Sequence, residues 1–542
     1  MSSDSSEPLL PFGLETGNAV SRALGLDDIV REIFASLYPR VVTLSHYRAF
    51  VSTREHLLHT ALTCRAFLEP ALDILWRSMH SVYPLLNLLP PEDFGLQNGE
   101  YILSGIPLYH ASDVWNRVSY YARRIKIFYH DPISLPTLPL ASYTGNAVAR
   151  YLPSSLLPNL DTLYIANFTS TYDEVIFMAV STTLRRVEIY NVQNENQNLV
   201  DSLLTCILGA AQNLQHLTFG GVCPSRIHQH VGYLSGLISL NLSHTVVKDD
   251  IFQLIIQNIS KLPFIKLLAL NLGSMGRNLP ATVWSASLEH LSLTGNTTQI
   301  YSFLNRNSIP FIHRITLKFP IIYSTDSYEY NWATLKNIVS VIASCWLNME
   351  KIVLVLEFLT QIPAGRMRPD FRGIVSPLTS LTQLTDLRIY PETVSILITS
   401  LATTDYFDIA NAFPALEYLA LPRANMVTFD ALYRIALLCP RLRFLGVGIN
   451  TRTFPILPSS QHPVISHNLE VLSVGNSHLR PTDVRIITRH LNRLFPCLKT
   501  IVANSSNWGD VRDLLKLCRS VIQDHTERQG ATPELVSELV RR

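Results

Sequence analysis

Between Leu160 and Leu498 one short hydrophobic pattern, L-x-x-L-x-L, returns at intervals of 23 to 37 residues. Its clearest copy is Leu288 to Asn296, LEHLSLTGN. Leu291 and Leu293 are two apart, so on an extended chain they point to one face. Leu288 precedes that strand and fills the same interior, and the Asn296 amide is placed to bond the turning backbone. Variants begin at Leu160, Leu184, Leu214, Leu237, Ile265, Leu288, Ile312, Met349, Leu384, Leu416, Leu442, Leu469 and Leu498. A weaker copy, Ala122-Ile125-Ile127, precedes them, and at Ile265 a second register, Leu267-Leu270-Leu272, also fits.

The mean spacing, about 28 residues, lies within the range of leucine-rich repeats, and one such unit cannot bury its own apolar face without neighbours. Pro158, Pro263, Pro414, Pro440 and Pro496 stand two residues ahead of the pattern. Proline there stops a preceding helix and starts extended chain. Between the strands the period lengthens toward 3.6. Asp250 is predicted to cap a helix carrying Ile251, Leu254, Ile255, Asn258 and Ile259, and Asp430 opens a similar run from Ala431 to Cys439. The pattern therefore predicts an α/β solenoid, a horseshoe with strands on the concave side and helices on the convex side. Wide spacings after Ile312, Met349 and Leu384 predict enlarged loops, and Asn at the ninth position only in the units of Asn296 and Asn450 predicts a patchy asparagine ladder.

The two ends read differently. Residues 1–23 are Ser- and Gly-rich and predicted disordered. Residues 24–90 read as an all-α module. In LGLDDIVREIFASL, Ile29, Ile33, Phe34 and Leu37 fall on one helical face. In HLLHTALTCRAFLEPALDILWRSM, Leu58, Ala61, Leu62, Leu68, Leu72, Leu75 and Trp76 keep helical spacing, with Pro70 near the start of the last helix. That is more apolar surface than so short a unit can hide, which marks a partner site. Residues 91–157 connect this module to the repeats of 158–510. A helix over 511–525, with Val511, Leu514, Leu515, Cys518 and Ile522 on one side, is predicted to cap the last repeat, and 526–542 is a polar tail.

Composition narrows the classes. Charged residues make up 16% of the 542, below the roughly 25% of ordinary domains, as a long apolar ladder requires. A net charge of +2 gives no reason to expect nucleic acid or an anionic membrane as partner. No stretch approaches the ~18 apolar residues of a membrane span, and the acidic N-terminus is unlike a signal peptide. Seven cysteines with no regular spacing point to a reducing compartment.

The segment from Leu24 to Arg77 resembles an F-box: L-x-L-D-x-I-x-x-x-I-F-x-x-L, then L-x-x-x-L-T-C-R-A-F, then L-W-R. The whole chain is similar to the fungal F-box and leucine-rich-repeat proteins. That resemblance implies docking on a Skp1-like adaptor, and through it on a cullin-RING ubiquitin ligase, with a substrate protein held on the repeats. It implies adaptor contacts at Leu24, Leu26, Ile29, Ile33, Phe34, Leu37, Leu58, Cys64, Phe67 and Trp76, and a cytoplasmic or nuclear setting. The alternative is a scaffold or inhibitor that has lost the adaptor.

Candidate chemistry is sparse. No phosphate-binding, nucleophile-elbow or HExxH motif is present. His56 and His59 lack further ligands at metal spacing, and Cys223, His228 and His230 lack a fourth. Neither an enzyme nor a cofactor is expected. The recognition surface is instead expected on the concave face, where strand positions alternating with the leucines project: Tyr164, Arg186, Tyr190, His216, Arg314, Lys318, Lys351, Arg388, Tyr390, Tyr418 and Phe444. Tyr and Arg dominate interface energetics.

Overall fold

The computed structural model describes residues 27–529 apart from 38–46, 91–93, 98–99, 104–110, 132–154, 169–172, 274–281, 321–327, 358–371, 391–402, 422–425, 453–466 and 476. Leu24, Leu26 and both termini lie outside the described residues. The chain divides into two compact units, residues 1–215 and 216–542.

The first unit opens with three helices, α1 (Asp27–Leu37), α2 (Tyr47–Ala61) and α3 (Arg65–Arg77). Their core is Val30, Phe34, Leu57, Ala61, Ala71 and Ile74. Phe67 adds an edge-to-face contact with Phe34 at 5.8 Å. The inward face of α2 and α3 matches the one read in the sequence only in part. Ala61 points in and Leu75 packs on the core as read, but Leu57 takes the inward place on α2, while Leu58, Leu62 and Leu68 point out. Both rows have helical spacing, and periodicity alone does not say which one is covered. Pro70 sits inside α3, five residues past its first residue, rather than near its start.

From α3 the chain runs straight into β1 (Ser78–Met79), the first strand of a parallel sheet. A short helix α4 (Tyr83–Leu86), the hairpin β2 (Phe94–Gln97) and β3 (Glu100–Leu103), and α5 (Ala111–Ala122) come before β4 (Ile127–His130). After it come β5 (Thr162–Ile165), α6 (Asp173–Ala179), β6 (Arg186–Val192) and α7 (Gln197–Ala210). Strands β1, β4, β5 and β6 pair in that order, in parallel, with Phe128, Leu163 and Val187 in register. The sheet therefore begins well before residue 158. The weak copy is also shifted by three residues: Ile125, Phe128 and His130 take the three pattern positions, Ala122 is buried ahead of them and Ile127 is only half-buried, and the histidine in a leucine position hid the register. Past the strands, Asn167 donates to Asp131 and Asn191 donates to Asn167, each at 2.9 Å, a short polar ladder.

The second unit continues as β7 (His216–Val222), α8 (Ile227–Tyr233), β8 (Ser239–Val246), α9 (Asp249–Ile259), β9 (Leu267–Asn271), β10 (His290–Thr294) and α10 (Thr297–Arg306). Next come β11 (Arg314–Phe319), α11 (Tyr328–Cys345), β12 (Lys351–Leu356), α12 (Arg372–Leu378), β13 (Asp386–Tyr390) and α13 (Thr403–Ala412). The last elements are β14 (Tyr418–Ala420), β15 (Met426–Val427), α14 (Phe429–Leu438), β16 (Phe444–Gly446), β17 (Gly448–Ile449), β18 (Val471–Gly475), α15 (Val484–Leu494), β19 (Thr500–Ala503) and α16 (Asn507–Gln529).

Apart from the small β15–β17 pair, these strands form one parallel ladder. A single apolar row crosses its interior: Leu240, Leu268, Leu291, Ile315, Ile352, Leu387, Leu419, Leu445, Leu472 and Ile501 pair in succession. All are buried, and full burial of such a side chain is worth about 1.5–3 kcal/mol. All thirteen residues that open the sequence pattern are buried too. At Ile265 the first register is the real one, since Leu268 and Leu270 pair with Leu291 and Leu293.

Helix details depart from expectation. In α9 the buried stripe is Phe252, Ile255, Ile256 and Ile259, with Leu254 exposed and the two aspartates in the first turn rather than capping. Thr428, not Asp430, caps α14, accepting from the Ala431 N–H at 3.3 Å. Asn296 bonds backbone as expected, but at a helix start, in a reciprocal capping box with Gln299. The final helix starts at Asn507 and runs to Gln529, so it overlaps the predicted tail. Trp508 anchors it: the ring is buried and its Nε1–H donates to the Ser477 carbonyl at 2.8 Å.

Candidate protein-binding surfaces

With their core filled, the three N-terminal helices still expose large apolar side chains. Ile29 and Ile33 lie one turn apart on α1, Leu58 stands on α2 with Leu62 just past its end, and Leu68 is on α3; Leu62 is 74% exposed. Among the residues the F-box resemblance implied, Ile29, Ile33, Leu58 and Cys64 are therefore accessible, and Phe67 is half-buried. Phe34 is 4% exposed and belongs to the module's own core. Trp76 is half-buried and packs on Tyr121 at 4.7 Å. Of Leu37, only the helical backbone is described.

A charged clamp that periodicity did not reveal fixes this module to the C-terminal end of α5. Glu69 and Asp73 are one turn apart on α3 and share a side. Arg124, with its side chain only 8% exposed, pairs with both, Arg31 of α1 also donates to Asp73, and Tyr120 donates to Glu69. The Tyr120 and Arg124 hydrogen bonds hold the Glu69 carboxyl below its usual range. The E-x-x-x-D spacing on a predicted helix was the available signal.

On the first unit's sheet, outward residues form an aromatic ladder: His80 on Tyr129 at 5.0 Å, Tyr129 on Tyr164 at 5.3 Å, Tyr164 on Tyr190 at 5.4 Å. Of these, only Tyr164 and Tyr190 were expected. Tyr190 donates to Glu188 at 3.1 Å, and burial, then Glu188, raises its pKa. Burial, with Arg54 nearby, lowers His80 to about 4. Arg186 stands beside Glu188, at 3.8 Å.

On the second unit's sheet the expected residues again occupy outward positions. His216, Lys318, Lys351, Arg388, Tyr418 and Phe444 are half-buried and Arg314 is exposed; the Tyr390 side chain lies outside the described residues. Arg388 grips Asp386 with two bonds, at 2.7 and 2.8 Å, and lies 3.6 Å over the Tyr418 ring. Tyr418 in turn stacks on Phe444, 3.9 Å away and 2° from parallel. Lys351 reaches Asp386 at 2.8 Å, Lys318 reaches Glu357 at 3.0 Å, and Arg314 stands 3.6 Å from Glu350.

Other candidates do not assemble. Cys223 and His230 are buried while His228 is half-buried, and among the described residues no three His, Cys, Asp or Glu gather as metal ligands. All seven cysteines are free thiols. No described helix is long and apolar enough to cross a membrane.

No family model matches the chain, and neither does any curated protein. Among solved structures it is similar to a structural-genomics protein from Bacteroides fragilis, at 11% identity and a TM-score of 0.25, over 60% of this chain and 66% of that one. It is also similar to a leucine-rich repeat protein from Bacteroides ovatus, at 10% identity and a TM-score of 0.13, over 71% and 79%. At such scores neither likeness carries weight beside the ladder itself, a mixed α/β fold of repeated parallel strands.

Proposed function

We propose that this chain is the substrate-receptor subunit of a cullin-RING ubiquitin ligase, docking on a Skp1-like adaptor through α1–α3 and holding a protein substrate on its sheets. One observation carries the reading: α1–α3 complete a core and still present Ile29, Ile33, Leu58, Leu62 and Leu68 to solvent. Apolar exposure on that scale in so small a module is what a partner covers. It coincides with the stretch that resembles an F-box.

The mechanism is proximity. The module fixes the chain to the ligase, and the sheets raise the local concentration of the substrate near the charged ubiquitin carrier. No covalent step falls to this chain. The Arg124 clamp and the direct passage of α3 into β1 suit this role, because they tie the module to the first unit's strands.

The test is retention of a purified Skp1-like adaptor by the full chain and by an Ile33→Asp/Leu62→Asp variant. The wild type should hold the adaptor and the variant should lose it at an unchanged melting temperature. No retention by the wild type, or equal retention by both, would overturn the reading.

A further inference from the structure

In the second unit, one outward row has an ordered composition. In pairing order it reads His290, Arg314, Lys351, Asp386, Tyr418, Phe444. Basic groups fill one end and stacked rings the other.

The charge is unequal along it. Asp386 serves both Lys351 and Arg388, so one carboxylate faces two cations. Arg314 and its partner Glu350 are 3.6 Å apart with about half of each side chain exposed, a pair of little strength that an incoming carboxylate can replace. His290 lies close to both cations: burial, then Lys351 and Arg314, depress its pKa.

The ring end is preorganised. Arg388 covers one side of Tyr418, and Phe444 lies flat beside it. Gly446 permits this, since a Cβ there would stand 3.2 Å from the Phe444 ring and 3.3 Å from Ala420. Rings fixed before binding lose little entropy on binding.

The two ends are a set distance apart. From β11 to β16 the ladder counts four strand steps, about 19 Å at ~4.8 Å each, which an extended segment spans in about six residues.

We infer that this row binds an extended protein segment lying across the strands, with Asp or Glu carboxylates over Arg314 and Lys351 and an aromatic side chain about six residues away against Tyr418 and Phe444. Under the receptor reading, on which that role rests, the segment is the substrate's recognition motif. Its binding is measurable apart from any ligase.

The probes are fluorescein-labelled peptides of about eight residues, with two Glu at one end and Trp at the other, made in both chain directions. Controls replace Glu by Gln, or bring Trp next to Glu. Fluorescence anisotropy follows binding to the full chain, with and without the adaptor. One direction should bind, about tenfold more tightly than its Gln or short-spaced control, and less tightly as salt rises. Arg314→Gln alone, and Arg314→Gln with Lys351→Gln, should each weaken binding at unchanged melting temperature. The His290 ring, followed by NMR, should titrate at higher pH once peptide is bound.

Failure of both directions to bind, equal binding of the Glu and Gln peptides, or full binding by folded variants would overturn the inference. Peptide binding without adaptor retention would leave it standing as a binding site and remove the ligase reading. Adaptor retention without peptide binding would do the reverse.

Discussion

Leu291→Ala tests the ladder most directly. Leu291 is wholly buried, and its partners in register, Leu268 and Ile315, are buried on either side of it. Leucine-to-alanine changes in cores cost about 2–5 kcal/mol, the larger values arising where neighbours cannot collapse into the space. Here both neighbours hang from strands tied into a continuous sheet, so a cost of about 3–4 kcal/mol is expected. That is a large share of the ~5–15 kcal/mol that holds a typical domain. Leu291→Asp should cost more, since it buries an unpaired charge. The next residue, Ser292, points to the open face, and Ser292→Ala should stay within about 0.5 kcal/mol. Urea titrations followed by circular dichroism measure both. Because repeats couple chiefly to their neighbours, the Leu291 variant should also broaden the transition. Equal shifts for the Leu291 and Ser292 variants would mean that the strand is set one residue out of register.

Three further outcomes rest on single observations. Phe34→Ala should destabilise the first unit by about 3–5 kcal/mol, whereas Ile33→Ala, at a site 46% exposed, should leave the melting temperature unchanged; similar melts would contradict the placement of the two side chains. A chain ending after His525 should melt like the full chain, whereas one ending after Asn507 loses Trp508, Val511 and Leu515 from the core and should aggregate on expression; a soluble, stable product would show that α16 is not the cap. Burial holds His80 and His130 at about 4, below the ordinary 6.5. The unfolded chain therefore binds protons that the folded one refuses. Their contribution is complete above about 6.5, shrinks as the pH falls toward 4 and is then constant. Urea midpoints across that range should drop, and His130→Leu should flatten the drop; a flat wild-type curve would mean that both rings are solvated.

The strands were legible because period two survives translation into structure: a leucine flanked by polar residues has only one way to face a core. Leu291 and Leu293 are the plain case. The helices were less legible. The module's segments carry two apolar rows apiece, and helical spacing fits Leu58 and Leu62 as well as Leu57 and Ala61. Which row is covered depends on where the partner helix lies, and that is tertiary information. The outward face was found in part. Tyr164, Tyr190, Arg388 and Tyr418 emerged from alternation, but Tyr129 and His80 did not, since their strands carry His130 and Ser78 where leucines would have flagged them. Trp508 escaped because it precedes the apolar run that marked the last helix.

The unequal spacing of the strands has an evolutionary consequence. Leu291 and its partner Ile315 are 24 residues apart, whereas Ile315 and Ile352 are 37 apart, and the two pairings are otherwise alike. For a flexible connection the difference in closure entropy is about 0.4 kcal/mol, less than most single substitutions cost. Loops that join strands to helices can therefore lengthen or shrink at little cost, while each strand keeps its register and its place in the order. The order of the outward rows is thereby insulated from changes of loop length. A lineage could revise the loops around them without losing the alignment of Arg314 with Lys351 or of Tyr418 with Phe444.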